Sequence, residues 1–385
     1  MASVSWLDRT GVGPTRRSRS TWRTDLVTIL LGMWVVLGLV ADGNTHVNTP
    51  QLETFFTPSH ALLYSGYLSA AGWMGWQVLQ QWRQGHHGLE AVPVGYGLGL
   101  VGAAIFGLGG LADLAWHALF GIEADIDALL SPSHLVLFVG AALILTTPWR
   151  AASSAAAGEA PGFRAFLPVL LSATATVMFV AFFVLYLSPF TAGAPTATAA
   201  RAAGFITHRQ QEVFWSQGIA GVLVTTAVLL VPLLLLVRRW TVPTGTATIL
   251  FFTVALLSSA IYDFEQGALI LAAPIGGLLA DLLISRLRPS AARPVALWTV
   301  AAVVPAALWA PYFAVVAGWY GLAWPAELWS GSVVLSSLAG LALGLLATPP
   351  AGSAAASPGG KPGGDSTRPA RTSLTKHEQE EHLSW

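Results

Sequence analysis

The sequence predicts an all-α fold, a polytopic integral membrane helical bundle with about ten transmembrane helices. Hydrophobic residues make up 54% of the 385 residues and charged residues only 10%, whereas soluble domains carry about 25% charged residues. Several apolar runs approach or exceed the roughly 20 residues that a helix needs to cross a bilayer. Lys and Arg are concentrated in the tails and in alternate loops. We therefore expect the lipid bilayer as the main partner and no nucleic acid.

The apolar runs define the predicted spans, and the segments between them define the regions of the chain. The spans cover residues 25–43, 58–82, 92–117, 131–148, 164–189, 212–237, 246–263, 267–286, 295–318 and 328–347. The regions are an Arg-rich cytoplasmic tail (1–23), a four-helix region (24–150), a six-helix region (151–348) and a second cytoplasmic tail (349–385). The last region is rich in Gly, Pro, Ser and charge, which is typical of disorder.

The distribution of basic residues predicts the orientation in the membrane, because loops rich in Lys and Arg stay in the cytoplasm. If the N-terminus is cytoplasmic, only Arg201 and Arg209 of the 19 basic residues fall on the other side. We therefore expect a multi-pass protein of the cell membrane with both termini in the cytoplasm. In this orientation five of the nine histidines and ten of the nineteen acidic residues, including the two sets described next, lie at the outer face.

The four-helix region contains two similar polar segments. In the first, Asp42 precedes His46 by four residues, and a Thr-Pro-Ser lead precedes His60. An Asp and a His four apart lie on one face of a helix. A Thr or Ser followed by Pro is typical of a helix N-cap, so an outer hairpin would join one carboxylate and two imidazoles. The second segment repeats the order with Asp113, His117 and a Ser-Pro-Ser lead before His134.

These residues are the candidate metal ligands: Asp42, His46, His60, Asp113, His117 and His134. Nitrogen and oxygen ligands without sulfur suit copper, zinc or iron, and the chain has no cysteine. Ionisable residues at membrane depth are costly and indicate function. The alternative is that each Asp bonds its helical neighbour while the Pro-Ser-His lead caps a helix. Capping requires neither the Asp nor the upstream His, so the pattern favours a metal.

Asp113-x-x-Trp116-His117 and the segment Phe56–His60 resemble the metal-binding helices of the particulate methane and ammonia monooxygenase family, in the membrane subunit that carries its copper sites. The resemblance covers about residues 25–145. It implies copper as the metal, with the Asp42 and Asp113 sets matching the family's two neighbouring ligand sets. Asp113 stands where the family has Asn, Thr45 stands where it has Trp, and the second hairpin is longer.

Three functions remain open from the sequence. The first is a copper-binding membrane protein, either oxidase- or monooxygenase-subunit-like or copper-handling, with zinc or iron as alternative metals. The second is an ion- or proton-coupled transporter, and the third is a non-catalytic assembly subunit of a membrane complex. Other membrane subunits or an electron donor are candidate partners. Catalytic residues, and the choice between one shared and two separate metal sites, are not assigned.

Three further polar features have weaker interpretations. His208 is either an additional ligand or part of an interfacial helix cap. The Tyr262–Glu265 turn either adds carboxylates to the outer vestibule or is an ordinary polar turn. Asp281 is interpreted as an ion pair with Arg286, or otherwise as a proton-relay carboxylate.

Overall fold

The computed structural model describes residues 17–49, 55–121, 125–154 and 162–348. These residues contain no β-strand, and the predicted all-α fold is confirmed for them. Most of the predicted N-terminal tail (1–16) and the whole C-terminal tail (349–385) lie outside the described residues. The α-helices are α1 Trp22–Asn48, α2 Pro58–Arg83, α3 Gly97–Phe120, α4 Asp125–Leu130, α5 Pro132–Leu145, α6 Thr147–Ser153, α7 Phe163–Phe183, α8 Pro189–Ala192, α9 Ala197–Ala203, α10 His208–Arg239, α11 Thr246–Ile261, α12 Ala272–Leu287, α13 Pro294–Val315 and α14 Ala326–Leu346.

Seven helical segments of the described chain are long and apolar enough to cross a membrane. They are α1, α3, α7, α10 and α14, together with α12 and α13 extended by their adjoining turns. The pair α5 and α6 would be an eighth span, bent by 41°, and α11 is apolar but has only 16 residues. Helix α2 has 26 residues but is not among the seven. The seven helices indicate a multi-pass membrane protein, and the count of ten spans stays a prediction.

The two hairpins that carry the candidate ligands are held together by close helix crossings. Helix α1 packs on α2, and α3 packs on α5. A Cβ atom added at Gly38 would lie 2.6 Å from Cα of Leu63, and one at Gly140 would lie 2.6 Å from the backbone nitrogen of Phe106. Only glycine allows the backbones to approach this closely, as small residues do at many membrane helix crossings. These crossings determine how the ligand-bearing ends of the two helices in each hairpin approach each other.

Helices α7 and α11 join the hairpins to the remaining helices. Phe179 and Phe182 of α7 pack into the core formed by α1, α2, α3 and α5. A second core is formed mainly by α10–α14 and includes the fully buried Trp309. Asn44 Nδ2 near the end of α1 donates hydrogen bonds to the Ala260 carbonyl (3.0 Å) and to Asp263 Oδ1 (2.7 Å). The C-terminal ends of α1 and α11 therefore lie at the same end of the bundle.

Asp281 caps the opposite end of α11. Its carboxylate accepts hydrogen bonds from the backbone nitrogens of Ala247 (3.0 Å) and Thr248 (3.1 Å), and from Thr248 Oγ1 (2.7 Å). The first N–H groups of a helix have no partner within the helix, and a carboxylate there is favourable. The expected ion pair with Arg286 is not found among the described ion pairs. Asp281 is therefore a helix cap contributed by a neighbouring helix.

Candidate metal centre

The first Asp/His/His set lies where the end of α1 meets the start of α2. Asp42 and His46 lie one turn apart on α1, and His46 Nε2 is 3.7 Å from Asp42 Oδ2. Thr57 caps α2 by accepting from the backbone nitrogen of His60 at 3.2 Å. This cap places His60 Nδ1 at 3.3 Å from Asp42 Oδ1. The sequence prediction that the hairpin joins these three side chains is thus confirmed in geometry.

The second set has the same residue types at matching helix ends, between α3 and α5. His117 Nε2 and His134 Nε2 lie 3.6 Å and 3.1 Å from Asp113 Oδ1. Ser131 caps α5 by accepting from the backbone nitrogen of His134 at 3.3 Å. Asp113 is only 1% exposed. A carboxylate this deeply buried is costly unless it is compensated by a cation or hydrogen bonds.

A serine supports the carboxylate in each set. Ser59 Oγ donates to Asp42 Oδ1 at 2.7 Å, and Ser133 Oγ donates to Asp113 Oδ1 at 2.9 Å. Both serines belong to the Pro-Ser-His leads, which the sequence suggested only as helix caps. Such bonds to a ligand carboxylate fix its orientation and tune metal binding. The serines are functional candidates that the sequence analysis missed, although their repeated position was the available signal.

The imidazole rings of the second set are oriented by backbone carbonyls. His117 Nδ1 bonds the Gly121 carbonyl at 3.1 Å, and His134 Nδ1 bonds the Ala128 carbonyl. A carbonyl can only accept, so each Nδ1 carries the proton and a neutral ring presents its Nε2 lone pair. Both lone pairs then face Asp113 Oδ1, which also carries negative charge. Gly121 has φ of +86°, a left-handed conformation suited to glycine, and it turns the chain after α3.

In the second set, three electron-rich atoms face one another, and a proton or a cation between them would stabilise the group. The ligand atoms of each set all lie within 4.8 Å of one another. Two atoms each about 2.1 Å from a tetrahedral metal are about 3.4 Å apart, close to the 3.1–3.7 Å measured from His to Asp. In addition, Asp113 Oδ2 is buried without a hydrogen-bond partner among the described residues. The donor atoms therefore fit a metal ion in both sets.

Both sets line a single cavity of about 460 Å³. All six candidate ligands contribute to its wall, and the facing wall is apolar and comes largely from α7 and the end of α11. Phe55 lies between the sets, with its ring centroid 4.8 Å from that of His60 and 5.9 Å from that of His117. The hydroxyl of Tyr64 is buried beside them without a hydrogen-bond partner in the described chain. The arrangement is two ligand groups around one largely apolar chamber.

The other polar candidates lie apart from the six ligands. His208 is exposed at the start of α10 and contacts Glu212 at 3.3 Å. Thr207 and Gln210 form a capping box there, which agrees with the interfacial cap interpretation. In the Tyr262–Glu265 turn, Tyr262 lines the cavity, whereas Asp263 bonds Asn44.

Comparisons of the chain with protein-family models, with curated proteins and with solved structures found no match.

Replacing Ser133 with alanine should weaken metal binding at the second set by about 10–100-fold, the usual effect of removing a bond to a ligand. The fold should be retained, because Ser131 still caps α5. The measurement is a metal titration of purified protein. Ser65→Ala is the matched control, since Ser65 Oγ bonds only the Leu62 carbonyl on the exposed side of α2. Equal affinities in the two variants would show that Ser133 does not act on the metal.

Proposed function

We propose that this chain is an integral membrane metal-binding protein in which each Asp/His/His set holds one ion, with copper as the resident metal. The observation that carries the proposal is the second set. The Nε2 atoms of two backbone-oriented imidazoles converge there on a buried carboxylate that also has an unpartnered oxygen. A buried carboxylate oxygen without a partner is destabilising, and a bound cation would compensate for it.

Copper is preferred on the chemistry of the ligands. Two imidazoles and one carboxylate per set suit copper, zinc and iron, and sites of this kind bind Cu²⁺ most strongly of the first-row divalent ions. The resemblance to the metal-binding helices of the particulate methane and ammonia monooxygenases points to the same metal. Each histidine would bind through a neutral nitrogen and each aspartate as a carboxylate, so metal affinity should fall as the pH is lowered.

The position of the two sets supports a role in oxidation or in copper handling. Both line one chamber whose facing wall is apolar, and such a wall limits access of water to a bound metal. An oxidase- or monooxygenase-like subunit would use the chamber for chemistry and would need an electron donor. A copper-handling component would use it only to hold and pass on the ion. Turnover with a reductant and dioxygen distinguishes these two roles.

The metal content of detergent-purified protein tests the proposal. Wild type should retain copper, or take it up on reconstitution, and the double variant His46→Ala/His117→Ala should lose it. His208→Ala is the matched control, because His208 is exposed and lies outside the cavity. Wild type that stays free of metal after incubation with Cu(I), Cu(II), Zn(II) and Fe(II) would disprove the proposal. Full retention in the double variant would place the metal elsewhere.

We also propose that the metal sets face the outside of the cell, on the basis of the basic residues in the opposite loops. The chain has no cysteine, so a single introduced cysteine is the only target for a thiol reagent. A membrane-impermeant reagent should label Asn48→Cys in intact cells and should not label Gln84→Cys, two exposed positions at opposite ends of the bundle. Labelling of Gln84→Cys without labelling of Asn48→Cys would show that the protein has the opposite orientation in the membrane.

A further inference from the structure

A second cavity lies at the end of the bundle opposite the metal sets. It has a volume of about 620 Å³ and lies between the C-terminal ends of α10 and α12 and the start of α13. Its wall contains four arginines, namely Arg238, Arg239, Arg288 and Arg293. Asp281 is the one carboxylate of that wall, and it is occupied by the three hydrogen bonds that cap α11. The cavity therefore has a large excess of positive charge.

Most of the positive charge in this cavity lies on arginines without an acidic partner in the part of the chain that the structure describes. Among the described residues, no carboxylate forms an ion pair with Arg238, Arg288 or Arg293. Arg293 Nη1 instead reaches the backbone carbonyl of Arg288 at 3.5 Å. Guanidinium groups placed around one space repel each other, and their planar forks match the oxygens of phosphate. A bound anion of this type would relieve the repulsion.

The backbone of Arg288 provides an independent indication. Arg288 follows the last residue of α12 and has φ of +47°. Helices commonly end on such a left-handed residue, but glycine is strongly preferred there. A residue with a Cβ atom is strained in this conformation, and such outliers cluster at functional sites. The sequence has an arginine at a position that favours glycine, as expected where the side chain has a role.

Aromatic residues border the cavity, an arrangement typical of the headgroup level of a membrane. Trp240 lines it and packs against Trp149 and Phe166, with ring centroids 6.2 Å and 6.3 Å apart. The guanidinium carbon of Arg239 lies 5.3 Å from the Trp240 ring centroid. Tryptophan is enriched where membrane helices leave the hydrocarbon. Basic pockets between membrane helices at this level are suited to anionic lipid headgroups.

We propose that this arginine pocket binds the phosphate group of an anionic phospholipid headgroup. The phosphate lies among Arg238, Arg288 and Arg293, and the acyl chains extend along the apolar surface of the neighbouring helices. The site is separate from the metal centre and does not depend on the proposed function. Free inorganic phosphate has the same recognition chemistry, so the experiment includes it as a second source.

The test compares thermal unfolding of the full-length protein in nanodiscs. The discs contain phosphatidylcholine alone or phosphatidylcholine with phosphatidylglycerol, and a third sample adds inorganic phosphate to phosphatidylcholine discs. The pocket variant is Arg238→Gln/Arg288→Gly/Arg293→Gln, in which glycine also relieves the strained backbone. The control variant, Arg83→Gln/Arg164→Gln/Arg286→Gln, removes three arginines that do not line the cavity.

Phosphatidylglycerol should raise the Tm of wild type and of the control variant but not that of the pocket variant. If inorganic phosphate raises the Tm of wild type but not that of the pocket variant, the phosphate site is confirmed and its ligand is a soluble anion. Equal rises in all three proteins would show a general charge effect and overturn the proposal, as would no rise in wild type. The single variant Arg288→Gly should keep or raise the Tm in phosphatidylcholine discs, so a weaker lipid effect in that variant cannot be attributed to unfolding.

Discussion

Replacing Asp113 with alanine should remove the metal of the second set while the first set keeps its affinity. Asp113 Oδ1 faces both Nε2 atoms and accepts from Ser133, so its loss removes the only anionic ligand of this set. We expect a weakening well beyond the 10–100-fold that follows loss of a residue that only orients a ligand. Equilibrium titration with copper, read as stoichiometry and affinity, measures the effect.

Two companion variants define how this result is interpreted. Asp42→Ala should remove the other metal, and Asp113→Asn keeps an acceptor for Ser133 while removing the charge. The ligand atoms form two groups, each within 4.8 Å, so we expect the losses in the Asp42/Asp113 double variant to add. Residues that share one centre would couple by about 0.5–3 kcal/mol. A double variant that costs less than the sum would show that the two sets form one shared centre.

Replacing Gly140 with alanine should strongly destabilise the protein. The added Cβ would lie 2.6 Å from the backbone nitrogen and 2.8 Å from Cα of Phe106, so α5 must move away from α3. Overpacking of this kind costs about 1–3 kcal/mol, and occasionally more. Because α3 and α5 carry all three ligands of the second set, its metal affinity should fall as well. Thermal unfolding in detergent, with and without copper, measures both effects.

Gly72→Ala is the matched control for this substitution. Gly72 also lies within a long helix, α2, but a Cβ added there meets no atom within 4 Å. Alanine in a helix interior is favoured over glycine by about 0.5–1 kcal/mol, so this variant should be at least as stable as wild type. Equal destabilisation of the two variants would show that the α3–α5 crossing is not under packing constraint.

The fold class and the candidate ligands can be predicted from the amino-acid sequence. Long apolar runs predict membrane helices because a helix satisfies its own backbone hydrogen bonds in lipid. The spacing of Asp42 and His46, and of Asp113 and His117, predicts one shared face because it follows from helix geometry alone. The Thr57 and Ser131 caps likewise depend on a few adjacent residues and are present in the structure. Such features depend on contacts close in the sequence.

The boundaries of the helices are less fully determined by the sequence. The predicted span 131–148 is bent by 41° between Leu145 and Thr147. The predicted span 164–189 ends as an α-helix at Phe183 and continues as a short 3₁₀ turn and α8. Each boundary depends on how neighbouring helices pack, and composition along one segment does not contain that information.

The atoms that face one another in the two sets are known only from the folded arrangement of the helices. The proton position on His117 and His134 depends on the carbonyls of Gly121 and Ala128, which no spacing rule identifies. The joining of both sets at one chamber depends on α7 and α11, more than 100 residues beyond the first set. Asp281 looked like an ion-pair partner in sequence but caps α11 in space. These outcomes depend on contacts between residues distant in the chain, and local patterns cannot specify them.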